Sequence, residues 1–466
     1  MKRAIAIAAA EPVEVAANNP GGSMENRYCG ACRGERGCKD CKTALGKVKY
    51  ESLTEFSVTG FSEENDFGNE IMSGTDCAVS GAFVVPEALF LVADIGTTTL
   101  AFVCADATGT VLASYGAQNP QRMISADVIG RIDAACHGAA EELKIQIREA
   151  LAKGFLFVLE RGIAVLREAG KCTEKKKVQL ALAGNTTMQH LLLRYPVEGM
   201  AKHPFTPYSQ EAVTVRFSEL FAETTVYERF SNTVKEAEVF VFPCLSAFVG
   251  GDVLAGAYGL SFPGVVSETK ARTPGNYLLA DLGTNGELFL SVKGKIYATA
   301  AAMGTAFEGG RFAYASDLFS LTASALEEGA ADETGLLAEP YFTEGFHGLM
   351  QEDIRTFQLA KGALRAGIEL LCKHAGISAE QVDTVFLAGG AGRYCRVEDL
   401  LQTGCLPKVF AGKVKIVGNS CIGGLLCYLK KPEIMIQCKG EVLNLATEPE
   451  FEEIYYRSME FWDEES

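Results

Sequence analysis

From residue 88 onward the chain alternates short, mostly apolar runs with longer stretches whose apolar positions recur every three to four residues. The runs at 89–93, 178–183, 239–242, 277–280, 382–388 and 414–417 are apolar runs of the β type and read as strands. Between them, the spacing predicts a helix over 139–169, broken near Gly154 and Gly162. It predicts a second over 354–374, where Leu359, Ala363, Ala366 and Leu370 fall on one face. Gly376 is a stop signal for that helix. Strands alternating with helices make an α/β architecture. The first 87 residues break the rhythm: they are rich in Gly, Asn, Ser and acidic residues, with four cysteines between Cys29 and Cys41, and read as a separate module.

Two stretches of the body are near copies. Leu91-Val-Ala-Asp94-Ile-Gly96-Thr97-Thr98-Thr99-Leu-Ala-Phe-Val is echoed by Leu278-Leu-Ala-Asp281-Leu-Gly283-Thr284-Asn285-Gly286-Glu287-Leu-Phe-Leu. Each is an apolar strand ending in Asp, a Gly-Thr turn and a second apolar strand, which is a β-hairpin with a polar turn. The duplication predicts two related subdomains. A Gly-Thr turn brings backbone N–H groups and hydroxyls close to phosphate oxygens, because Gly has no Cβ and Thr carries a short donor. The Asp one step away is placed to hold Mg²⁺ through water, since that ion sheds its hydration shell reluctantly. A third cluster, Gly389-Gly390-Ala391-Gly392, follows a strand and can pass close under a base and ribose.

Composition narrows the partners. The 43 Lys+Arg against 59 Asp+Glu leave a net charge of −16 without an extended basic cluster, which disfavours nucleic acid. No run reaches the length of uncharged apolar residues that a membrane helix needs. The apolar start at 4–10 reads as a first strand rather than a leader, since Glu11-Pro12 follows at once. Fifteen cysteines, most of those beyond residue 100 in apolar segments such as Cys104, Cys244, Cys372 and Cys427, suit free core thiols and a reducing cytoplasm.

Taken together, Asp-Gly-Thr-Thr, Asp-Gly-Thr-Asn-Gly and a late Gly-Gly-x-Gly resemble the phosphate-1, phosphate-2 and adenosine motifs of the ASKHA superfamily of actin-like ATPases and sugar kinases. Further stretches are Asn119-Pro-Gln with Ala126-Asp127-Val-Ile-Gly-Arg131-Ile, Ala183-Gly184-Asn185-Thr186-Thr187-Met188, Pro204-Phe-Thr-Pro207 and Phe248-Val-Gly-Gly251-Asp252. Ala306-Phe-Glu308-Gly309-Gly310, Ala360-Lys361 to Gly367, Val417-Gly418-Asn419 and the ending from Gly440 to Phe451 complete the set. With these the chain resembles the reductive activators of corrinoid proteins from about residue 88 to its end.

The resemblance implies two ribonuclease-H-like, actin-like subdomains, at 88–275 and 276–466, behind a cysteine-rich, ferredoxin-like module at 1–87. It implies ATP and Mg²⁺ in the body, with Gly96, Thr97, Thr98, Thr99, Gly283, Thr284, Asn285 and Gly286 on the phosphates and Asp94 and Asp281 on the metal through water. Gly389, Gly390 and Gly392 would lie near the adenosine. Asp252 would orient the attacking water, or else cap the helix expected over 253–258. Asn185 and Thr186 would reach the γ-phosphate or cap the next helix, Glu308 would line the cleft or pair structurally, and His190 is read as a core residue. The implied partners are a corrinoid protein or corrinoid methyltransferase system and a low-potential electron donor, and a homodimer is compatible with the sequence.

In the head, Cys29-x2-Cys32-x5-Cys38-x2-Cys41 has metal-ligand spacing. Cys32, Cys38 and Cys41 with the distant Cys77 resemble a [2Fe–2S] ferredoxin segment, the favoured reading. Cys29, Cys32, Cys38 and Cys41 would instead hold [4Fe–4S] or zinc. The approach to the cluster is shortened and the family's linker and middle domains are expected to be missing. Three rival functions remain open on the sequence: a small-molecule kinase, an ATPase serving a radical dehydratase, and a nucleotide-gated binding module with a zinc head. The second is disfavoured because Ala300 to Gly304 lacks its cluster cysteine. The acidic end, 448–466, reads as a solvated last helix rather than a docking tail.

Overall fold

The computed structural model describes residues 88–170, 177–261, 275–283, 285–304, 306–308, 312, 315–343, 348–431 and 440–461. The cysteine head, with Cys29, Cys32, Cys38, Cys41 and Cys77, lies outside the described residues, as do the expected first strand and Thr284.

The body holds two six-stranded sheets. In the first the order is β3-β2-β1-β4-β6-β5, and in the second β11-β10-β7-β8-β9-β12. β1 (Ala88–Ile95), β2 (Thr99–Asp106) and β3 (Val111–Gln118) form an antiparallel meander, and β4 (Lys177–Gly184) and β6 (Glu238–Val241) then add in parallel on the far side of β1. The same scheme recurs in β7 (Tyr277–Leu282), β8 (Asn285–Val292) and β9 (Lys295–Ala302), with β10 (Thr384–Ala388) and β11 (Val414–Gly418) parallel beyond β7. The duplication expected from the two hairpins is therefore a duplication of topology. The sheets differ at their edges: β5 (Val213–Arg216) pairs antiparallel with β6, whereas β12 (Gly440–Val442) pairs parallel with β9.

All six apolar runs contribute strands; the inner ones are buried on both faces, with Leu91, Val92, Leu278, Leu279, Val385 and Leu387 fully enclosed, whereas the edge strand β11 leaves Lys415 and Ile416 exposed. The helix Ala140–Glu168 covers one face of the first sheet. It runs unbroken through Gly154 and Gly162, contrary to the expected breaks. A Cβ on Gly154 would stand 2.3 Å from the Phe102 ring, and one on Gly162 would stand 2.6 Å from Cys104 Sγ. These glycines admit β2 close against the helix and do not interrupt it. The helix Gln351–His374 begins about a turn earlier than expected and ends at Gly376, whose φ is +69°. The helix Phe451–Met459 packs on it through Ile454, and Lys361 Nζ holds the carbonyls of Ser458 and Glu460 at 2.6 and 2.5 Å. The first part of the acidic end is thus a docked helix.

Two further helices of the core are exchanged between the halves. Gly251–Ser261 follows the strands of the first sheet, yet its Val253, Leu254, Ala257 and Leu260 pack with Tyr277, Leu279, Phe289 and Phe386 of the second. Ser420–Lys430 follows β11 of the second sheet, yet its Ile422, Leu425, Leu426 and Leu429 pack with Phe90, Val92 and Ala181 of the first. The two helices cross where Gly259 meets Gly424, so close that a Cβ on Gly424 would stand 1.7 Å from the Ala255 carbonyl oxygen. Among the described residues no helix is long and apolar enough to cross a membrane. Of the free cysteines described, Cys136 is exposed and the other seven are buried.

Candidate functional site

The first Gly-Thr turn is gripped from behind. Asn119 Nδ2 donates to the Gly96 carbonyl at 2.9 Å, Arg131 Nη2 to the Thr97 carbonyl at 2.6 Å, and the Asn119 N–H to the Thr98 carbonyl at 2.9 Å. In a trans peptide the N–H points opposite to its carbonyl. Holding three successive carbonyls inward therefore turns the N–H groups of Thr97, Thr98 and Thr99 outward, the arrangement of an anion nest. This accounts for the Asn119-Pro-Gln and Arg131 segments as supports of the turn.

Asp94 ends β1 beside that turn, and Asp281 ends β7 at the corresponding place in the second sheet. Both lie at the carboxyl ends of parallel strands, with Ile95 beside Gly184 and Asp281 beside Ala388, where open α/β sheets bind ligands. Asp252 stands in the first turn of Gly251–Ser261 and takes the Val253 N–H at 2.8 Å. The helix starts earlier than the 253–258 expected, so Asp252 is inside it and not at the cap. A Cβ on Gly250 would stand 2.6 Å both from Asp252 Oδ1 and from the Gly184 carbonyl, which brings the ends of β4 and of this helix together.

The three half-buried carboxylates repel one another. Asp94 is pushed up to about 6, by burial above all, against hydrogen bonds from Asn419 and Cys421. Asp281 is pushed up to about 7 by burial and by Asp94, and Asp252 to about 8 by burial, Asp94 and Asp281. Glu287, opposite Asp281 in the hairpin, is raised well above its usual range by burial and by the same neighbours. A concentration of hard oxygen donors whose charges oppose each other suits a divalent cation. Among the described residues no three acidic, His or Cys side chains converge closely enough to hold an ion directly.

A pH dependence follows from these shifts. An unfolded chain releases these protons near pH 4, whereas the folded site keeps them up to pH 6 to 8. The folded state therefore binds more protons across that interval, and stability falls as pH rises through it. The melting temperature of metal-free protein is expected to decline from pH 5 to pH 8, and Mg²⁺ should restore it most at the alkaline end. A flat profile in chelator would contradict the carboxylate cluster.

The other expected site residues fall around this centre in unequal ways. Asn185 caps the helix Thr186–Leu193 by accepting the Thr187 N–H at 3.0 Å, and Thr186 Oγ1 donates to the Ser246 carbonyl at 2.6 Å. His190 is buried with Nδ1 2.8 Å from the Thr186 carbonyl and Nε2 accepting the Ser209 N–H at 3.3 Å, and burial lowers its pKa. It is a core residue. In the second turn the Gly283 N–H donates to the Asn285 carbonyl at 3.1 Å, and Met303 covers the bare side of Gly286. Of the late glycines, Gly389 (φ +81°) lies against Asp281 and Leu282, and Gly392 lies against Leu387. Gly390 alone faces open space. Glu308 lies in the short turn Ala306–Glu308.

Comparison with known proteins decides the family. Residues 89–262 match the model of the RACo middle region, and 275–316 with 336–466 match that of the C-terminal domain of RACo, the ASKHA domain. The chain belongs to the RACo family. A relative, the corrinoid activation enzyme RamQ of Eubacterium limosum, is 27% identical, with 79% of this chain and 70% of that protein covered. Among solved structures, a reductive activator for corrinoid, iron–sulfur protein superposes with a TM-score of 0.64 at 24% identity, covering 82% of this chain and 67% of its own. That likeness speaks for the fold, and it supports the two-sheet ASKHA architecture. One expectation is overturned: the RACo middle domain is present, since residues 89–262 match it and carry a complete sheet of their own.

Three residues at this RACo site were given no role from the sequence. Glu287 has a visible signal, an acid inside an apolar strand at the place where the first hairpin has Ala101 opposite Asp94. Asn419 caps Ser420–Lys430 and donates from Nδ2 to Asp94 Oδ2 at 2.7 Å, and Cys421 hydrogen-bonds the same carboxylate. Their place at the head of an exchanged helix is not readable from spacing.

Proposed function

We propose that this chain is an ATP-dependent reductive activator of a corrinoid protein. An iron–sulfur centre in the head, re-reduced by a low-potential donor, gives one electron to the partner's cobalt and takes it from Co(II) to Co(I). ATP bound in the body changes the affinity for the partner between its redox states. The observation that carries this reading is the gathering of Asp94, Asp252 and Asp281 at the carboxyl ends of two duplicated sheets, in a chain of the RACo family. Gly96 to Thr99 and Gly283 to Gly286 would receive the phosphates, Asp94 and Asp281 the hydrated Mg²⁺, and Gly390 the adenosine side. Mg²⁺ would neutralise the carboxylates and the phosphate charge, and Asp252 would orient water. The energetic demand is moderate: an electron moved uphill costs about 2.3 kcal/mol per 100 mV, within the reach of differential affinity between two conformations.

The division into a head at 1–87 and two halves meeting near residue 275 belongs to the same proposal, as does a cytoplasmic site of action, in keeping with the buried free thiols. For the head, Cys32, Cys38, Cys41 and Cys77 form the favoured [2Fe–2S] set.

The test is anaerobic. Purified protein should contain iron with matching acid-labile sulfide and give a reduced-cluster paramagnetic signal, which Cys77→Ser should remove. With Ti(III) as donor, ATP and a corrinoid methyltransferase protein, the Co(I) spectrum should appear, and Asp94→Ala should return it to the level seen without ATP. Zinc without sulfide, or Co(I) formation indifferent to both ATP and Asp94, would sink the proposal.

A further inference from the structure

The segment that grips the first turn contains a buried charge without a counter-charge. Arg131 has no exposed surface. Its guanidinium donates through Nε to the Ser125 carbonyl at 3.0 Å, through Nη1 to Gln121 Oε1 at 3.3 Å and Met188 Sδ at 3.0 Å, and through Nη2 to the Thr97 carbonyl at 2.6 Å. Every one of these acceptors is neutral. Among the described residues no carboxylate forms an ion pair with it; the acidic group that acts on it is Asp127, an exposed side chain engaged in capping by accepting the Gly130 N–H at 2.7 Å. Arg122 nearby opposes it with like charge. Burial pulls its pKa down to about 10, so it remains cationic at neutral pH.

A cation enclosed among neutral partners is costly unless an anion lies near. One peptide unit separates it from the nest: its Nη2 holds the Thr97 carbonyl, and the N–H of that peptide points the opposite way, into the turn. We propose that Arg131 is a positioning residue for the phosphate end of the nucleotide, acting through the Thr97 peptide, and that the bound phosphates balance its buried charge. The ligand class is a Mg²⁺-bound nucleoside di- or triphosphate. The inference rests on the nucleotide reading of the site and deepens it, because it makes the affinity for phosphates, and not for the nucleoside, depend on a residue outside the cleft. Gln121 and Asn119 complete the support, the first through its amide nitrogen on the Leu143 carbonyl at 2.8 Å.

Isothermal titration of the full chain with MgATP, MgADP and adenosine, beside ligand-free melting, tests it. Arg131→Met should weaken MgATP and MgADP roughly ten- to a hundredfold, the range for losing a charged hydrogen bond, and leave adenosine unchanged. Its ligand-free melting temperature should be equal to or above that of the wild type, since an unpaired buried charge is removed. Arg131→Lys should recover part of the phosphate-dependent affinity. An Arg131→Met protein that binds MgATP like the wild type overturns the inference, and so does one that loses ATP and adenosine in equal proportion along with melting temperature. Should Arg131→Met fail to fold, Arg131→Lys is read by the same criteria, since it keeps the charge and loses the planar fork. A wild type that binds no MgATP removes the nucleotide reading itself. Binding by the wild type with indifferent Arg131 variants removes the Arg131 role alone.

Discussion

Asp252→Asn is expected to lower ATP turnover about a hundredfold or more, the usual worth of a positioned acid–base group, while MgATP binding stays within a few-fold. The carboxylate sits in the first turn of a helix, facing Asp94 and Asp281, and is held near pH 8 by burial and by their charges. A base poised close to neutral pH is the effective one, and a bound Mg²⁺ would pull its pKa down into the working range. The asparagine keeps the shape and the oxygen that accepts the Val253 N–H, so a folding defect is not expected. It also removes one of the mutually repelling charges. Ligand-free Asp252→Asn should therefore melt above the wild type at pH 8, where Asp94 and Asp281 are charged and Asp252 is about half ionised, and about equally at pH 5. Turnover lost together with stability gained marks a site strained for its task. If turnover survives, Asp252 is no more than part of the first helical turn; if stability falls, the electrostatic account of the cluster is wrong.

Much of this centre was legible because its elements are local. Asp94 and Asp281 each end an apolar run, and Gly-Thr follows within two residues, so strand, turn and buried carboxylate share one short window. The inner parallel strands read clearly for the same reason: buried on both faces, they show apolar character without needing alternation. Reading failed where a residue's role is set from a distance. Gly154 and Gly162 looked like helix breaks, and only the ring of Phe102 and the thiol of Cys104, on another strand, show why they are small. Asn419 lies 325 residues from Asp94 in sequence, and its hydrogen bond exists because an entire helix crosses to the other sheet. Arg131 read as part of a motif, yet its target is the Thr97 carbonyl, 34 residues away and invisible to side-chain pattern. The assignment of the first half to a RACo middle region had no local signal either, since the motif order of the superfamily does not distinguish that region from the ASKHA domain.

The exchange of helices makes the second large prediction. Gly424→Ala should destabilise the body by about 3 kcal/mol or more, at the upper end of overpacking costs, because the added Cβ meets the backbone of Ala255 and not a side chain that could turn away. The two helices would have to move apart as units. Each is anchored on the opposite sheet, Gly251–Ser261 on Phe289 and Phe386 and Ser420–Lys430 on Phe90 and Val92, so separation strains both cores at once. It also displaces the heads of both helices, and these carry Asp252 on one side and Asn419 and Cys421 on the other. Lengthening the 2.7 Å bond from Asn419 to Asp94 would remove a contact that lowers the Asp94 pKa, and Mg²⁺ binding should weaken with it. Gly390→Ala is the contrasting variant: its Cβ meets nothing within 4 Å, so melting should be unchanged even where nucleotide affinity drops. Melting curves and MgATP titrations of the two variants separate the crossing from the cleft. A Gly424→Ala protein as stable as Gly390→Ala would mean that the helices slide past each other freely.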